Sequence, residues 1–388
     1  MDLDVLEHPL DEMVLYRSKN ESNFAVRSAT PADDEQLMKL SAETVPSNGI
    51  TLSYERYPSY LAASQAQYNR PDLKVVVPID NPSFVVAMMN LGWRYCYING
   101  QADLMRYVAD LRMHSEYRGG KVMRLLMDYV FDEIPQNTIF ESVVLNANVV
   151  AANILHQERK GFPLPYYFDD IQTYTVSQAK KPKTFAHYRF KSLTQDAIAA
   201  ANDFILKMKD HYNFLPTYDF NGLLEGHHPF WKGMSLSDFF LIYNKDDQLV
   251  GLYGLWNQKS FKQTRVIDYS RPLKLMKPFY NVYANVRGVL SLPKVKGTFD
   301  YLMMHSPLCH PEDLEVFSSL IFHAKEQTKH RGKETYCVTL AENDPRIQWM
   351  KNTTSHILKA KHYFHSFSGN PYGKFDRKRI SYFDVGRI

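Results

Sequence analysis

The stretch LRMHSEYRGGKVMRLLMDYV, residues 111–130, passes from a short strand through a basic turn into a helix. Its first residues alternate between apolar and polar side chains, as in a strand, whereas the Met and Leu residues after Gly120 recur at helical spacing. A glycine-bearing turn between a strand and a helix gathers backbone N–H groups and the positive end of a helix dipole around one point. The turn therefore predicts either an anion site or a simple chain reversal before an amphipathic helix.

The composition is that of a soluble globular protein. The chain has 388 residues, of which 45% are hydrophobic and 23% are charged, so two domains are expected. A net charge of +4 with scattered basic residues gives no support for nucleic-acid binding. The longest apolar runs are too short to cross a bilayer, the amino terminus lacks signal-peptide features, and the three cysteines are odd in number. We expect a cytoplasmic protein with neither a nucleic-acid nor a membrane partner.

The order of strand and helix signals repeats along the chain. Residues 26–43 predict a strand followed by a capped helix, and residues 189–206 predict the same, with Thr30 and Thr194 as the caps 164 residues apart. Residues 73–93 predict a hairpin, and residues 239–256 match it. This alternation of elements indicates an α/β protein.

The change in spacing between matched helix and strand signals indicates an insertion of about 26 residues in the second half. A third match follows this insertion. LRMHS at 111–115 aligns with LMMHS at 302–306, an offset of 191 residues. Matched features in the same order predict two diverged copies of one fold. We place the domains at 1–180 and 185–388, with the junction within 177–187.

Two motifs in the first half carry a family resemblance. No Walker P-loop and no GxGxxG dinucleotide motif is present. HSEYRGGKVMRLLMDYV resembles motif A of the GNAT superfamily of N-acetyltransferases, and NANVVAANILHQERKGF, residues 146–162, resembles its motif B. The resemblance covers about residues 24–176 well and 188–388 weakly. It implies the α/β (α+β) class, with two tandem GNAT-like domains that each have a mixed, mostly antiparallel central sheet flanked by helices.

The resemblance also implies the co-substrate and the residues that bind it. Acetyl-CoA, or another acyl-CoA, would donate its acyl group to a primary amine of a small molecule or peptide, without a metal. Asn148 would either contact CoA or cap the following helix. The implied CoA-binding residues, besides Asn148, are Leu111, Met113, Arg118, Gly119, Gly120, Lys121, Val122 and Met123.

In the GNAT arrangement two central strands splay apart, here 103–113 and 141–147, and the pantetheine arm lies between them. A backbone N–H then polarises the thioester carbonyl, and much of the rate enhancement comes from positioning. Asp110 is the candidate base, or else a rim carboxylate paired with Arg112 or Arg106. His114 and His305, which the LxMHS match places in both copies, are expected to be structural.

The first copy departs from the family pattern at two places. Glycines stand at 119 and 120, whereas the pattern requires small residues where Lys121 and Met123 stand. Gln157 occupies the position of the tyrosine that protonates the departing thiolate in many members. His156, its neighbour, is therefore the candidate proton donor, although a helix histidine can equally be an ordinary solvated side chain.

These departures leave two further functions open. The chain is either an N-acyltransferase, most simply an N-acetyltransferase, or a catalytically silent acyl-CoA-binding or sensing protein. A scaffold that binds no CoA is the third alternative. We expect one CoA per chain, because Glu312 and Asp313 would occupy the first helical turn of the second copy and repel a phosphate. The aromatic segment 162–170 and the second-half insertion are candidates to line the acceptor pocket.

Overall fold

The structure is a computed structural model that describes residues 15–17, 22–43, 45–47, 49–118, 120–148, 151, 160–176, 187–226, 228–351 and 354–388. Its first half contains these elements: β1 (Phe24–Ser28), α1 (Asp34–Ser41), β2 (Val45–Ser47), β3 (Ile50–Glu55), α2 (Tyr60–Ser64), β4 (Leu73–Pro78), β5 (Ala87–Asn90), β6 (Trp93–Ile98), β7 (Gln101–Tyr107), β8 (Ala109–Met113), α3 (Gly120–Glu133), β9 (Ile139–Leu145) and β10 (Leu164–Val176).

The second half contains β11 (Arg189–Ser192), α4 (Ile198–Met208), β12 (Tyr212–Asn213), β13 (Leu215–Pro216), β14 (Phe239–Tyr243), β15 (Leu249–Trp256), β16 (Gln263–Tyr269), α5 (Arg271–Arg287), β17 (Tyr301–Cys309), α6 (Leu314–His330), β18 (Thr335–Ala341), α7 (Ile347–Met350), β19 (Thr354–Ser366) and β20 (Ile380–Ser381). Both predicted strand-to-helix openings are present, as β1–α1 and β11–α4. Both predicted hairpins are confirmed, as β4–β5 and β14–β15.

The expected cap at the first helix is also present. Asp33 accepts hydrogen bonds from the Thr30 backbone N–H at 2.7 Å and from its hydroxyl at 3.0 Å. The same carboxylate pairs with the buried Arg27 at 2.7 Å. The local signal is thus reinforced by a buried ion pair that ties the helix start to β1.

One large sheet runs through both halves of the protein. Among the described residues its strand order is β11-β14-β15-β17-β18-β10-β19-β9-β7-β6-β13, and a second sheet has the order β1-β4-β5-β8. Most neighbouring pairs are antiparallel, and helices flank the sheets, so the expected fold class is confirmed. Apolar clusters on both sides of the large sheet form the cores of the two halves.

One long strand from each half, β10 or β19, pairs with strands of the other half. Strand β10 of the first half lies between β18 and β19 of the second, and β19 in turn pairs with β9 of the first. The two halves therefore complete each other's sheet. The boundaries at 1–180 and 185–388 stay a prediction, and residues 177–186 of the predicted junction lie outside the described residues.

The register of the second copy differs from the one that the LxMHS match predicts. The parallel pairs that begin the central strands are Arg106–Phe140 in the first half and Tyr301–Thr335 in the second, an offset of 195 residues on both strands. The offset of 191 is therefore wrong. His305 is not the counterpart of His114, because hydrogen-bond pairing rather than a short apolar identity sets the strand register.

The second-half insertion forms β16 and α5. Strand β16 pairs with β3 of the first half rather than with the large sheet, and β2 completes that small sheet. The insertion thus bridges the two halves; whether it lines an acceptor pocket stays a prediction. No helix within the described residues combines the length and apolar character needed to cross a membrane.

Candidate functional site

The predicted splay between two central strands is present in the first half. Strands β7 and β9 pair in parallel only at Arg106–Phe140 and Tyr107–Glu141. One further bond follows, from the Val108 N–H to the Glu141 carbonyl at 2.7 Å. Beyond it, β8 pairs with β5 while β9 stays beside β19, so a gap opens between β8 and β9.

A β-bulge lies on β8 beside this gap. The register runs from Asn90–Ala109 to Met88–Arg112, so two residues, Asp110 and Leu111, face a single residue of β5. Asp110 has a positive φ of 53°, a conformation that is uncommon for a residue with a side chain. A bulge takes one residue out of the ladder and re-aims the local backbone. This is the part of the chain where the family resemblance predicts a backbone donor for a thioester carbonyl.

The Asp110 carboxylate is held in a partly buried cluster. It accepts a hydrogen bond from the Tyr60 hydroxyl at 2.8 Å and pairs with the Arg56 guanidinium at 2.8 Å. The partner is thus Arg56 and not Arg112 or Arg106, which corrects the expected salt bridge. Arg106 instead pairs with Asp72 at 3.0 Å. The bulge explains the difference, because it breaks the regular alternation that would place Asp110 on the same face of the strand as Arg112.

The same contacts set the protonation of Asp110. Burial pushes the pKa of its carboxyl group upward, but the charges of Arg56 and Arg112 and the hydrogen bonds from Tyr60 and Arg56 outweigh burial. The net effect is a pKa below the ordinary value. An ionised carboxylate held in this way is a weak proton acceptor. Its contacts fix the bulge and the segment that carries Arg56.

The apolar residues predicted to contact CoA are brought together. Leu111, Met113 and Met123 pack against one cluster that includes the buried Val122. Phe162, from the segment after the second motif, packs against the same cluster. The stretch that leads from the bulge on β8 to the start of α3 therefore contributes apolar side chains to this cluster.

The turn before α3 is basic and open. The helix begins at Gly120, where an added Cβ would meet no atom within 4 Å, and Lys121 is exposed. Arg118 is 61% exposed at its side chain and forms an ion pair with Glu43, just after α1. Gly119 lies outside the described residues. A phosphate at this turn would thus compete with Glu43 for Arg118.

The end of the second motif lies against α3. Arg124 donates a hydrogen bond to the Lys160 carbonyl at 2.8 Å, and its guanidinium lies 5.9 Å from the centre of the Phe162 ring. Asn148 accepts a hydrogen bond from the Ala151 N–H at 3.1 Å, so its capping role is supported by the structure. A contact between Asn148 and CoA stays a prediction. His156 lies outside the described residues.

Sequence reasoning missed Glu141, which sits where the strands part. Its side chain is nearly fully buried, and its Oε1 lies 3.1 Å from Nε2 of His362 on β19. Glu141 also lines a cavity of about 30 Å³ between the two halves, together with Asn69, Arg94 and Asp384. The available signal was a lone carboxylate at the head of an apolar strand, because such a residue is rarely buried without a role.

A buried polar network borders this cavity. Asp384 accepts a hydrogen bond from the Tyr218 hydroxyl at 3.0 Å and lies 3.1 Å from Nε2 of His305. Burial raises the pKa of Asp384, although Arg387 opposes this. Burial and the charge of Arg387 hold the pKa of His305 well below its usual value. His305 is thus a neutral, packed side chain, in keeping with the structural role expected for it.

Two further side chains of the first and second halves, His114 and Lys262, have defined contacts. His114 accepts a hydrogen bond from the Glu116 N–H at 3.4 Å and packs against Phe84, which also fits a structural role. Lys262, missed by sequence reasoning, donates to the Ile388 carbonyl at 3.1 Å. Burial and the nearby Arg56 charge lower the pKa of Lys262 to about 7.

The corresponding gap in the second half is closed by its own side chains. Strands β17 and β18 also part, after Met303–Cys337, and Ser306 has a positive φ of 47°. Arg346 is fully buried there, pairs with Asp344 at 2.6 Å, and donates to the Pro307 carbonyl at 2.7 Å. The guanidinium therefore links β17 to the segment that follows β18, beyond the point where the two strands separate.

The acidic helix start in the second half differs in detail from the prediction. Helix α6 begins at Leu314, so Asp313 is its N-cap and accepts from the Val316 N–H at 2.9 Å. Glu312 precedes the cap, and Glu315 is the acidic residue of the first turn. The negative charges still surround the positive end of the helix dipole. Among the described residues, no group of three or more His, Cys, Asp or Glu side chains could hold a metal.

Comparison with known proteins gives a result at the level of structure only. No family model matches the sequence, and no curated protein matches it. A Saccharomyces cerevisiae N-myristoyltransferase structure with bound myristoyl-CoA matches with a TM-score of 0.56 at 10% identity, covering 97% of this chain and 91% of that one. A second structure of that enzyme with myristoyl-CoA gives 0.55 at 8% identity, covering 95% and 85%.

A GCN5-related N-acetyltransferase from Sphaerobacter thermophilus matches with a lower TM-score of 0.47 at 11% identity, covering 89% of this chain and 96% of that one. The two myristoyltransferase matches span nearly the whole chain, both halves included. This chain therefore has the GNAT fold of the N-acyltransferases.

Proposed function

We propose that this protein is an acyl-CoA-dependent N-acyltransferase. The observation that carries the proposal is the gap between β8 and β9, which has a bulge at Asp110 on one side and leads to the basic start of α3. One end of this path suits a thioester and the other a pyrophosphate. The second half offers no such path, because Arg346 and Asp344 occupy its gap.

The reaction follows from this placement. The CoA pyrophosphate binds at the turn from Arg118 to Met123, and the pantetheine arm lies along Leu111 and Met113. A backbone N–H at the bulge donates to the thioester carbonyl oxygen. The neutral amine attacks the carbonyl carbon, the C–S bond breaks, and CoA leaves as a thiolate while the amide forms. Positioning in the gap and stabilisation of the oxyanion supply most of the rate.

Two protons have to move in this reaction. We propose Glu141 as the acceptor of the amine proton, because it lines the cavity between the halves and sits where the strands part. A cavity of about 30 Å³, lined in part by the polar side chains of Asn69, Glu141 and Asp384, is large enough for one water, which would relay the proton. Asp110 is the weaker candidate, since its pKa is lowered by its ion pair. His156 stays the proposed proton donor to the thiolate.

The length of the acyl group is a separate part of the proposal. Acetyl-CoA is the donor that the motif resemblance favours, whereas the structures that match across the chain contain myristoyl-CoA. The acceptor is a primary amine of a small molecule or peptide. A donor series from acetyl-CoA to myristoyl-CoA, tested against a panel of amines with detection of free thiol, distinguishes these possibilities.

The alternative is a silent acyl-CoA-binding or sensing protein. The ion pair between Glu43 and Arg118 favours this alternative, because it weakens the anion site. The glutamine at 157, in place of a tyrosine, also favours it. Calorimetric binding of acyl-CoA without amine-dependent release of thiol from any donor would support it. No binding of CoA at all would leave only the scaffold function.

The role of Glu141 has its own test. Glu141→Gln should lower kcat by about tenfold to several hundredfold while leaving the affinity for acyl-CoA unchanged, as expected when a general base is lost. The exposed Glu133 on α3 gives the matched control, since Glu133→Gln makes the same chemical change far from the gap. Equal activity of the two variants would remove Glu141 from the mechanism. His156→Ala, assayed in parallel, should lower turnover more than CoA affinity.

A further inference from the structure

Helix α5 presents its apolar side chains to solvent. Ala284 is its only buried residue among the described part of the chain. The exposed fractions of its large apolar side chains run from 54% to 79%, which is unusual for a helix of a globular protein. These residues are Leu275, Met276, Phe279, Val282, Tyr283 and Val286.

The exposed residues form one continuous face. At about 100° per residue they cover an arc of roughly 120°. The opposite side contacts the protein, where Tyr280 donates to the Leu290 carbonyl at 3.1 Å and Asn281 to the Leu292 carbonyl at 2.9 Å. The apolar face therefore points directly away from the protein body, the reverse of ordinary helix packing.

The charges of α5 are all of one sign. The helix contains Arg271, Lys274, Lys277 and Arg287 and no acidic residue. Lys274 pairs at 2.7 Å with Asp268, which lies on β16. The loop that follows adds a basic, partly apolar run, Lys294-Val-Lys296, in which the valine is 42% exposed. A surface that is both apolar and basic fits an anionic lipid interface by charge and by hydrophobicity.

A second copy of this chain fits the face less well. Self-association through α5 would place the same basic residues of two helices beside each other, in a protein that already has a net charge of +4. An anionic bilayer instead neutralises these charges and accepts the apolar side chains. Such binding differs from crossing a membrane, and it departs from the expectation, made from the sequence alone, that the protein has no membrane partner.

We propose that α5 docks this protein on the surface of an anionic bilayer. The face formed by Leu275, Phe279, Val282 and Val286 enters the boundary between headgroups and acyl chains. Arg271 and Arg287, each about 80° from the centre of the whole apolar face, lie at the headgroups, whereas Lys277 lies over the Tyr269 ring on the protein side. This inference goes beyond the proposed acyl transfer and does not depend on it.

The docking would also orient the first half of the protein. The Ser270 N–H, at the start of α5, donates to the Gly49 carbonyl at 2.7 Å, and β16 pairs with β3 along its length. The helix is thus attached to the half that contains the candidate CoA site. A bilayer bound by α5 would hold that half at a fixed orientation to the lipid.

The test is co-sedimentation of the full chain with vesicles of phosphatidylcholine, with and without phosphatidylglycerol. We expect binding to the anionic vesicles that weakens as salt is raised. Phe279→Glu with Val286→Glu should reduce the bound fraction by about tenfold or more, because two apolar side chains that would be inserted in the bilayer become charged. The control is Leu206→Glu on α4, an exposed leucine outside the face, which should bind as the unmodified protein does.

Three results would overturn the proposal. The first is no binding of the unmodified protein to anionic vesicles, and the second is an equal loss with Leu206→Glu. The third is a dimer, seen by light scattering without lipid, that the double α5 variant dissociates, because the face would then be a self-association surface. A thermal unfolding curve of each variant in buffer shows whether it is folded, and a variant that unfolds early is replaced by Phe279→Ser with Val286→Ser.

Discussion

Arg118→Glu is the change that most directly tests where CoA binds. In the structure Arg118 is largely exposed and is held by Glu43, at the turn where α3 begins. A phosphate bound at this turn would accept charge-assisted hydrogen bonds from Arg118 and from the N–H groups of the helix start. The substitution removes the donor and adds a negative charge at the same place.

The expected loss is the difference between two interactions. A charge-assisted hydrogen bond contributes about 1.5–3 kcal/mol, while the exposed pair with Glu43, broken when phosphate binds, contributes about 0.2–1 kcal/mol. The net effect on CoA binding is then about 0.5–2.8 kcal/mol, or roughly 2- to 110-fold in Kd, before the added negative charge of the glutamate is counted. Glu43→Gln should act in the opposite direction and tighten binding by up to about fivefold, since Arg118 no longer has a competing partner.

Isothermal titration calorimetry with CoA measures both the affinity and the number of sites. One site per chain is expected, because Arg346 closes the gap in the second half. Glu312→Lys provides the matched charge reversal at the start of α6 and should change the affinity little. Asp313 is less suitable for this purpose, because it caps the helix and its loss would also cost stability.

Two equivalent CoA sites per chain would refute the reasoning, and so would an affinity that Arg118→Glu leaves intact. If Glu43→Gln weakened binding, the ion pair would have to support the turn rather than compete with the phosphate. Raising the salt concentration should reduce the difference in Kd for CoA between the unmodified protein and Arg118→Glu, since exposed charges are screened.

Three predictions concern stability. Arg346→Met should lower the free energy of unfolding in urea by about 3–5 kcal/mol, because Asp344 is left buried without its partner, and adding Asp344→Asn should recover part of the loss. The lowered pKa of Asp110 contributes stability that is complete above the unfolded pKa of about 3.9 and is lost as the pH falls through the lower folded pKa. The free energy of unfolding of Asp110→Asn should therefore depend less on pH in this range. Burial and the charge of His362 lower the pKa of His365 to about 4, so the unfolded chain binds more protons below about pH 6.5; stability should fall from that pH towards 4, and His365→Gln should flatten the fall. Either pH-dependent stability prediction fails if the variant and the unmodified protein have parallel profiles.

The elements that sequence predicted correctly are those fixed by nearby residues. The Thr30 cap and the β4–β5 and β14–β15 hairpins depend on turn chemistry and side-chain period within about 20 residues of chain. The splay of β7 and β9 was expected through the motif resemblance, and the pairing confirms it. The predicted register of the second half was wrong because a match at four of five residues contains no information about which strand pairs with which.

The parts that escaped prediction depend on long-range contacts. The Arg56–Asp110 pair joins residues 54 positions apart, and the buried position of Glu141 depends on β19, which is far away in sequence. The apolar residues of α5 recur at helical spacing, but such spacing does not tell whether the stripe faces the protein or the solvent. The long-range pairs and the direction that the apolar stripe faces are determined only when the sheets assemble.

The exchange of β10 and β19 has a consequence for how the protein is made. Strand β9 is complete at Leu145, yet its partner β19 begins only at Thr354, so at 5–20 residues per second of synthesis its edge waits roughly 10–40 s for that partner. During this time the nascent first half exposes an unpaired strand, which is a template for pairing with other chains. Pairing across so long a separation also slows folding, since chain entropy is lost before the contacts form. Vectorial synthesis on the ribosome therefore leaves the half with the candidate site open until the other half is almost complete, and that interval is when a chaperone would be needed.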